Sequence, residues 1–153
     1  MPVAAHIARL REKVGHDLLL LPSVSVLPMD PQVRVLLVHQ AEFQAWGTIG
    51  GAVDVDESPA DAAHRETAEE IGTEVELTAI LGAVGGPHFR ITYPNGDQCA
   101  YVSTIFGARI IGRPPQPDDD EVDALRWFTR TELRSEPSLG SFATSTFRAL
   151  GWI

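Results

Sequence analysis

The chain predicts a mixed β-sheet with helices on both sides, an α/β (α+β) class spread over one domain of residues 1–153. Three observations predict it. Short β-branched runs alternate with helical segments along the whole sequence. One segment, from Ser58 to Gly72, carries a full set of helix start and stop signals. The run Pro94-Asn95-Gly96-Asp97 is hairpin chemistry, and Asn-Gly suits a type I′ turn.

The elements follow in order. Val3, Ile7, Leu10 and Val14 recur at helical spacing, so about residues 3–14 form an amphipathic helix that Gly15 ends. Leu18–Leu27 and Val33–His39 are apolar and β-branched, two strands separated by the turn residues Met29-Asp30-Pro31-Gln32. Trp46–Val55 holds a glycine-rich loop and a short strand. In the next helix Ser58 is the N-cap, Pro59 occupies N1, Asp61 falls near the positive end of the dipole, and Gly72 sits at C′. Glu74–Val84 reads as a strand with Val75, Leu77, Ala79 and Leu81 on one face. The hairpin joins strands at Phe89–Tyr93 and Gln98–Ile110. Residues 112–121, with three prolines and four consecutive acids, read as an exposed loop. A strand at Ala124–Phe128, a short helix at Thr129–Ser135 and a closing helix at about 141–150 complete the chain. Trp46, Trp127 and Phe128 read as packing anchors.

Composition bounds the chemistry. At 153 residues and 44% hydrophobic content the chain can bury a real core. Twenty-one acidic against 12 basic residues give a net charge of −9, which disfavours duplex nucleic acid or an anionic membrane as partner. No apolar run is long enough for a membrane span and no signal peptide is recognisable, so a cytoplasmic location is expected. The single cysteine, Cys99, excludes an internal disulfide and a cysteine-rich zinc site; it reads as a small strand residue. His39, His64 and His88 show no spacing that pairs them.

The acidic helix is the informative segment. At 3.6 residues per turn, Glu70 and Glu69 lie roughly 40° and 60° from Glu66 around the axis, so all three project beside the apolar stripe Ala63, Thr67 and Ile71. Like charges at these spacings repel. Arg65, four residues before Glu69, relieves part of the repulsion. A hard divalent cation relieves the rest: Mg²⁺, with Mn²⁺ as the alternative, takes oxygen ligands, and the EF-hand pattern that would favour calcium is missing.

The segment from Gly51 to Thr73 then resembles the signature of the Nudix (MutT-like) hydrolase superfamily: G, five residues, E, seven residues, R-E-U-x-E-E-x-G-U. Gly51, Glu57, Arg65, Glu66, Glu69, Glu70 and Gly72 fill all seven fixed letters. The two apolar U positions are Thr67 and Thr73, Ile49 stands where proline is common in the preceding turn, and Asp56 stands where glycine is common. The resemblance covers about residues 18–135. It implies the Nudix fold, a mixed sheet in an α/β/α sandwich. It also implies hydrolysis of a phosphoanhydride bond in a nucleoside diphosphate linked to another moiety, by water and with divalent metal.

On that resemblance Glu69 and Glu70 are first choices as metal ligands. Glu66 is a third ligand or the group that deprotonates water, and the Gly50 carbonyl is an added ligand. Arg65 holds a glutamate, and Glu57 orients Arg65. Glu121 is the candidate for an acid recruited from outside the signature. Phe89, Arg90 and Tyr93 near the hairpin are candidates for contact with a nucleotide. The expected partner is a small nucleotide derivative, and a homodimer is possible for the family. The competing reading is a nucleotide-binding regulator without catalysis, which would be expected to lose signature carboxylates that this chain keeps. The isomerase branch of the fold uses a catalytic cysteine, and Cys99 lacks matching surroundings.

Overall fold

The computed structural model describes residues 3–153; residues 1 and 2 of the expected domain lie outside the described residues. The strands are β1 (Leu19–Pro28), β2 (Val35–Gln40), β3 (Ala45–Gly47), β4 (Ile49–Ala52), β5 (Val75–Val84), β6 (Arg90–Thr92), β7 (Gln98–Ile110) and β8 (Val122–Phe128). The helices are α1 (Ala5–Val14), α2 (Pro59–Ile71), α3 (Arg130–Ser135) and α4 (Ser141–Ala149). One sheet runs β4-β1-β7-β5, with β6 added beside β7, and a second runs β3-β2-β8. β1 and β7 are parallel while the other pairings are antiparallel, so the expected mixed sheet is present.

Two apolar clusters lie on opposite sides of the strands. Val24, Val26, Leu36, Val38 and Ile49 pack with Ala62, Ala63 and Ile71 of α2. Leu27, Val35, Leu37, Ile105 and Phe128 pack with Leu133 of α3 and with Ala143 and Phe147 of α4. Alternation along β1 and β2 sends successive side chains to opposite clusters, which is why one continuous apolar run serves both. Trp46 lies edge-to-face on Phe128 at 5.3 Å, the anchoring role expected of both.

Several local expectations change. Val33 is not in a strand. It adopts φ 61° and closes a turn on the Asp30 carbonyl (2.9 Å), and β2 begins at Val35. The hairpin turn is type I followed by a bulge, not type I′. Gly96 N–H donates to Tyr93 O (2.9 Å), Tyr93 N–H donates to Asp97 O (2.8 Å), and within the turn Gly96 takes φ 94°. The turn spans Tyr93–Gly96 and not Pro94–Asp97: Pro94, at its first central position, holds the negative φ of type I, and within the turn positive φ falls on Gly96 alone. The register of β5 shifts twice against β7, between Leu77 and Ala79 and between Ile80 and Gly82, so the simple alternation fails and Ala79 is exposed. α1 begins at Ala5, and none of its residues is buried; its apolar stripe does not join either cluster.

Residues 112–121 form the exposed loop expected, and the loop also closes the C-terminal end of α2. Asp118 N–H donates to Glu70 O (3.2 Å), Gln116 N–H to Ile71 O (3.0 Å) and Arg113 Nε to Gly72 O (2.7 Å). These are the carbonyls that a helix end leaves without partners. The loop then returns Glu121 to the start of β8 beside that helix.

Candidate active site

α2 starts as its sequence dictates. Ser58 Oγ accepts from Asp61 N–H (3.1 Å) while Asp61 Oδ2 accepts from Ser58 N–H (3.3 Å), a reciprocal cap. Ser58 is followed by Pro59 at N1, and Gly72 ends the helix at φ 63°. Asp56 takes φ 64°, the left-handed conformation that aspartate tolerates where glycine is common.

Burial divides the three glutamates. Glu66 and Glu70 are buried beside Ala63, Thr67 and Ile71, whereas the Glu69 side chain is 55% exposed at the rim. Arg65 ties the cluster together. Its Nε and Nη2 form a two-pronged contact with Glu57 (2.7 and 2.9 Å), Nη2 also donates to Ala52 O (3.0 Å), and Nη1 donates to Glu66 Oε1 (2.8 Å) and Glu69 Oε2 (3.4 Å). The hydrogen bond from Arg65 holds the Glu57 carboxyl below its usual range, and Glu57 reciprocally raises the Arg65 guanidinium. Glu57 thus contacts Arg65, and Arg65 contacts Glu66 and Glu69.

Glu70 is the most constrained group. Its Oε1 accepts a long hydrogen bond from Gly50 N–H (3.4 Å), and its Oε2 is buried without a hydrogen-bond partner. Burial, then the charge of Glu66, push its carboxyl well above the usual range, with Glu121 and Asp118 adding to the effect. Burial raises Glu66 to about 7 against the pull of Arg65, and Glu69 and Glu121 add to the rise. Among the described residues no three carboxylates stand at ready-made ligand spacing. The orphaned Glu70 oxygen and an all-oxygen donor set fit a hard divalent cation.

Gly50 must be glycine. At φ 150° a Cβ there would sit 2.0 Å from the Val24 carbonyl oxygen of β1. This close approach sets β4, and with it the Gly50 N–H, against Glu70.

A cavity of about 710 Å³ opens over these carboxylates; Glu66, Glu69, Glu70, Gly50 and Glu121 all line it. Tyr93 lines it too, its hydroxyl 2.7 Å from that of Tyr101. Phe89 and Arg90 do not reach it. Phe89 is buried edge-to-face on Phe142 (5.2 Å), and Arg90 is exposed. The two-residue period of β6 explains the sorting: Ile91 and Tyr93 share the cavity side, and Arg90 takes the other. Sequence reasoning missed Tyr101, Phe43 and Phe142, which also line the cavity, and missed α1 as one of its walls. The two-residue spacing of Cys99 and Tyr101 was the one available signal for a shared face.

Among the described residues no helix is long and apolar enough to cross a membrane. The family model of the NUDIX domain matches residues 19–150. A putative 8-oxo-dGTP diphosphatase from Bacillus subtilis (strain 168) is 29% identical over 108 residues, 71% of this chain and 66% of that protein. An RNA pyrophosphohydrolase from Halorhodospira halophila is 36% identical over 62 residues, 40% of this chain and 34% of that protein. The chain thus spans between a third and two thirds of the length of these curated relatives. A crystal structure of a MutT NUDIX hydrolase from Burkholderia pseudomallei superposes with a TM-score of 0.69 at 26% identity, covering 88% of this chain and 98% of that one. With its signature helix capped, buried on one face and set against a cavity, and with the family model spanning most of its length, the chain belongs to the Nudix hydrolase family.

Proposed function

We propose that the chain is a divalent-metal-dependent pyrophosphohydrolase of a small nucleoside diphosphate derivative. One observation carries the reading: Glu70, buried, with one oxygen on Gly50 N–H and the other without a protein partner, next to a second buried carboxylate, Glu66. Ionising two such groups side by side in the fold is unfavourable unless a cation joins them. Mg²⁺ suits the oxygen donors, and Mn²⁺ is the alternative. When bound, such an ion neutralises phosphate oxygens and acidifies a coordinated water.

The chain's own residues supply the rest. Glu70 and Glu69 hold the ion, with the Gly50 carbonyl and Glu121 as further oxygen donors. Glu66 either completes that set or takes the proton from water, and a carboxyl near 7 is matched to the second task. Arg65 fixes Glu66 by its Nη1 bond, and Glu57 fixes Arg65. In the balanced reaction the water oxygen bonds to phosphorus and the bridging oxygen leaves with the electron pair. Two phosphate-bearing products form, and the water proton passes to the base. A net charge of −9 and a walled cavity favour a small substrate.

The test is a panel of nucleoside triphosphates, nucleotide sugars, dinucleoside polyphosphates and ADP-ribose-type compounds, incubated with purified protein with and without Mg²⁺ or Mn²⁺. Metal-dependent release of phosphate-bearing products from at least one class supports the reading. Binding without turnover across the panel contradicts it and favours a regulator.

A further inference from the structure

α1 contributes nothing to either apolar cluster, yet it is held firmly. Arg11 Nη1 donates to Gly15 O (3.1 Å) and Asp17 O (2.6 Å). Its Nη2 donates to Gln98 O (2.8 Å) and reaches Cys99 Sγ (3.4 Å), and its Nε lies 3.6 Å from Asp97 Oδ1. His16 Nδ1 adds a 2.7 Å contact to the same Asp97 oxygen. One side chain thus pins a helix without a buried residue to the start of β7. The pinned helix presents Ile7 and Arg11, with Val3 ahead of it, to the cavity, whereas Leu10 does not line it.

The cavity changes character along β1. Ser25 pairs with Gly50, at the carboxylate end. Leu21, on the same face four residues earlier, pairs with Tyr101. Four residues of strand span about 13 Å. At the Leu21 end the lining is Tyr93, Tyr101, Ile91 and the α1 wall, edged by the polar groups of Arg11, Asn95 and Asp97, and the signature carboxylates lie at the other. Ser23, between the two, has a buried hydroxyl without a hydrogen-bond partner that faces the same space. With the proposed cation on the carboxylates, an occupant of matching chemistry is anionic at one end and, at the other, a flat group with apolar faces and polar edges.

We infer that α1 is the specificity wall of this cavity: Ile7 packs on the base of the bound nucleotide, and Arg11 is the positioning residue that holds the wall in place. The inference rests on the proposed function for the phosphate end alone, since the base end is built from residues outside the signature.

The test compares Ile7→Ala, Arg11→Ala and Leu10→Ala with wild type in three measurements: steady-state kinetics on the best nucleotide of the panel, inhibition by the product mononucleotide, and inhibition by inorganic pyrophosphate. Removing the Ile7 side chain beyond Cβ raises KM and weakens mononucleotide inhibition by at least about tenfold, with kcat within about twofold and pyrophosphate inhibition unchanged. Arg11→Ala moves the same parameters in the same direction, and Leu10→Ala moves none. The inference is overturned if Ile7→Ala keeps wild-type KM and mononucleotide inhibition, or if Leu10→Ala shifts them equally. If wild type hydrolyses nothing, the proposed function fails, while mononucleotide binding by calorimetry with the same variants still decides the role of α1.

Discussion

Replacing Glu66 with glutamine is expected to damage activity while strengthening the metal-free fold. Glutamine mimics the protonated acid and can still accept from Arg65 Nη1, which in the native chain donates to Glu66 Oε1 at 2.8 Å. Burial raises the Glu66 carboxyl from 4.5 to about 7, so the folded state keeps a proton that the unfolded chain has already lost. Stability contributed by this group is therefore present at acidic pH and falls as pH rises through the window from 4.5 to about 7. The cost of ionising it in the fold is on the order of 3 kcal/mol above that window. For a chain of this size that is roughly 6–12 °C in Tm. Thermal unfolding in EDTA, followed by circular dichroism, is the assay. Glu66→Gln should melt higher than wild type at slightly alkaline pH, and the gap should close toward about pH 5. A Glu66→Gln protein that melts lower than wild type at alkaline pH without metal would refute the reasoning.

Three further outcomes follow from the same geometry. Glu70→Gln keeps an acceptor for Gly50 N–H, so its circular dichroism spectrum should match wild type while turnover on the true substrate drops at least about a hundredfold; unchanged turnover would remove Glu70 from the metal set. Gly50→Ala forces a Cβ to 2.0 Å from a backbone oxygen, so denaturant titration should show a loss of more than about 2 kcal/mol, or no soluble protein; a neutral effect would deny the close β4–β1 approach. Glu121→Gln removes a charge that raises Glu66, so the acidic limb of the kcat/KM profile should move to lower pH; an unmoved limb with an unchanged rate would place Glu121 outside the site.

Much of the fold was legible because its signals are local. The cap of α2, the glycine at its end and the long strand β7 follow from residues a few positions apart, and each formed as expected. Arg65 was readable for the same reason, its spacing to Glu69 being a helical one. Features decided by distant partners were not. The exposed loop at 112–121 was legible, but nothing in its sequence states that its N–H groups close the end of α2. The amphipathic stripe on α1 was legible, but periodicity reports one apolar side without saying what stands opposite. Phe89 and Arg90 were drawn toward a nucleotide by chemistry alone; the alternation of β6 puts Arg90 on the face away from the cavity, and Phe89, just before β6, is buried against Phe142 of α4. Glu69 shared a predicted face with Glu66 and Glu70 yet stayed at the rim, since burial depends on the loop and sheet that cover the helix.

The central claim is that two buried carboxylates are held ready for a cation. Calorimetric titration of Mg²⁺ or Mn²⁺ into the metal-free chain, repeated in buffers of different ionisation enthalpy near neutral pH, tests it most directly. Saturable binding that releases protons, and that weakens markedly in Glu70→Gln, is the predicted result, because carboxyls raised by burial must ionise to accept the ion. Binding without proton release, with equal affinity in Glu70→Gln, would contradict it.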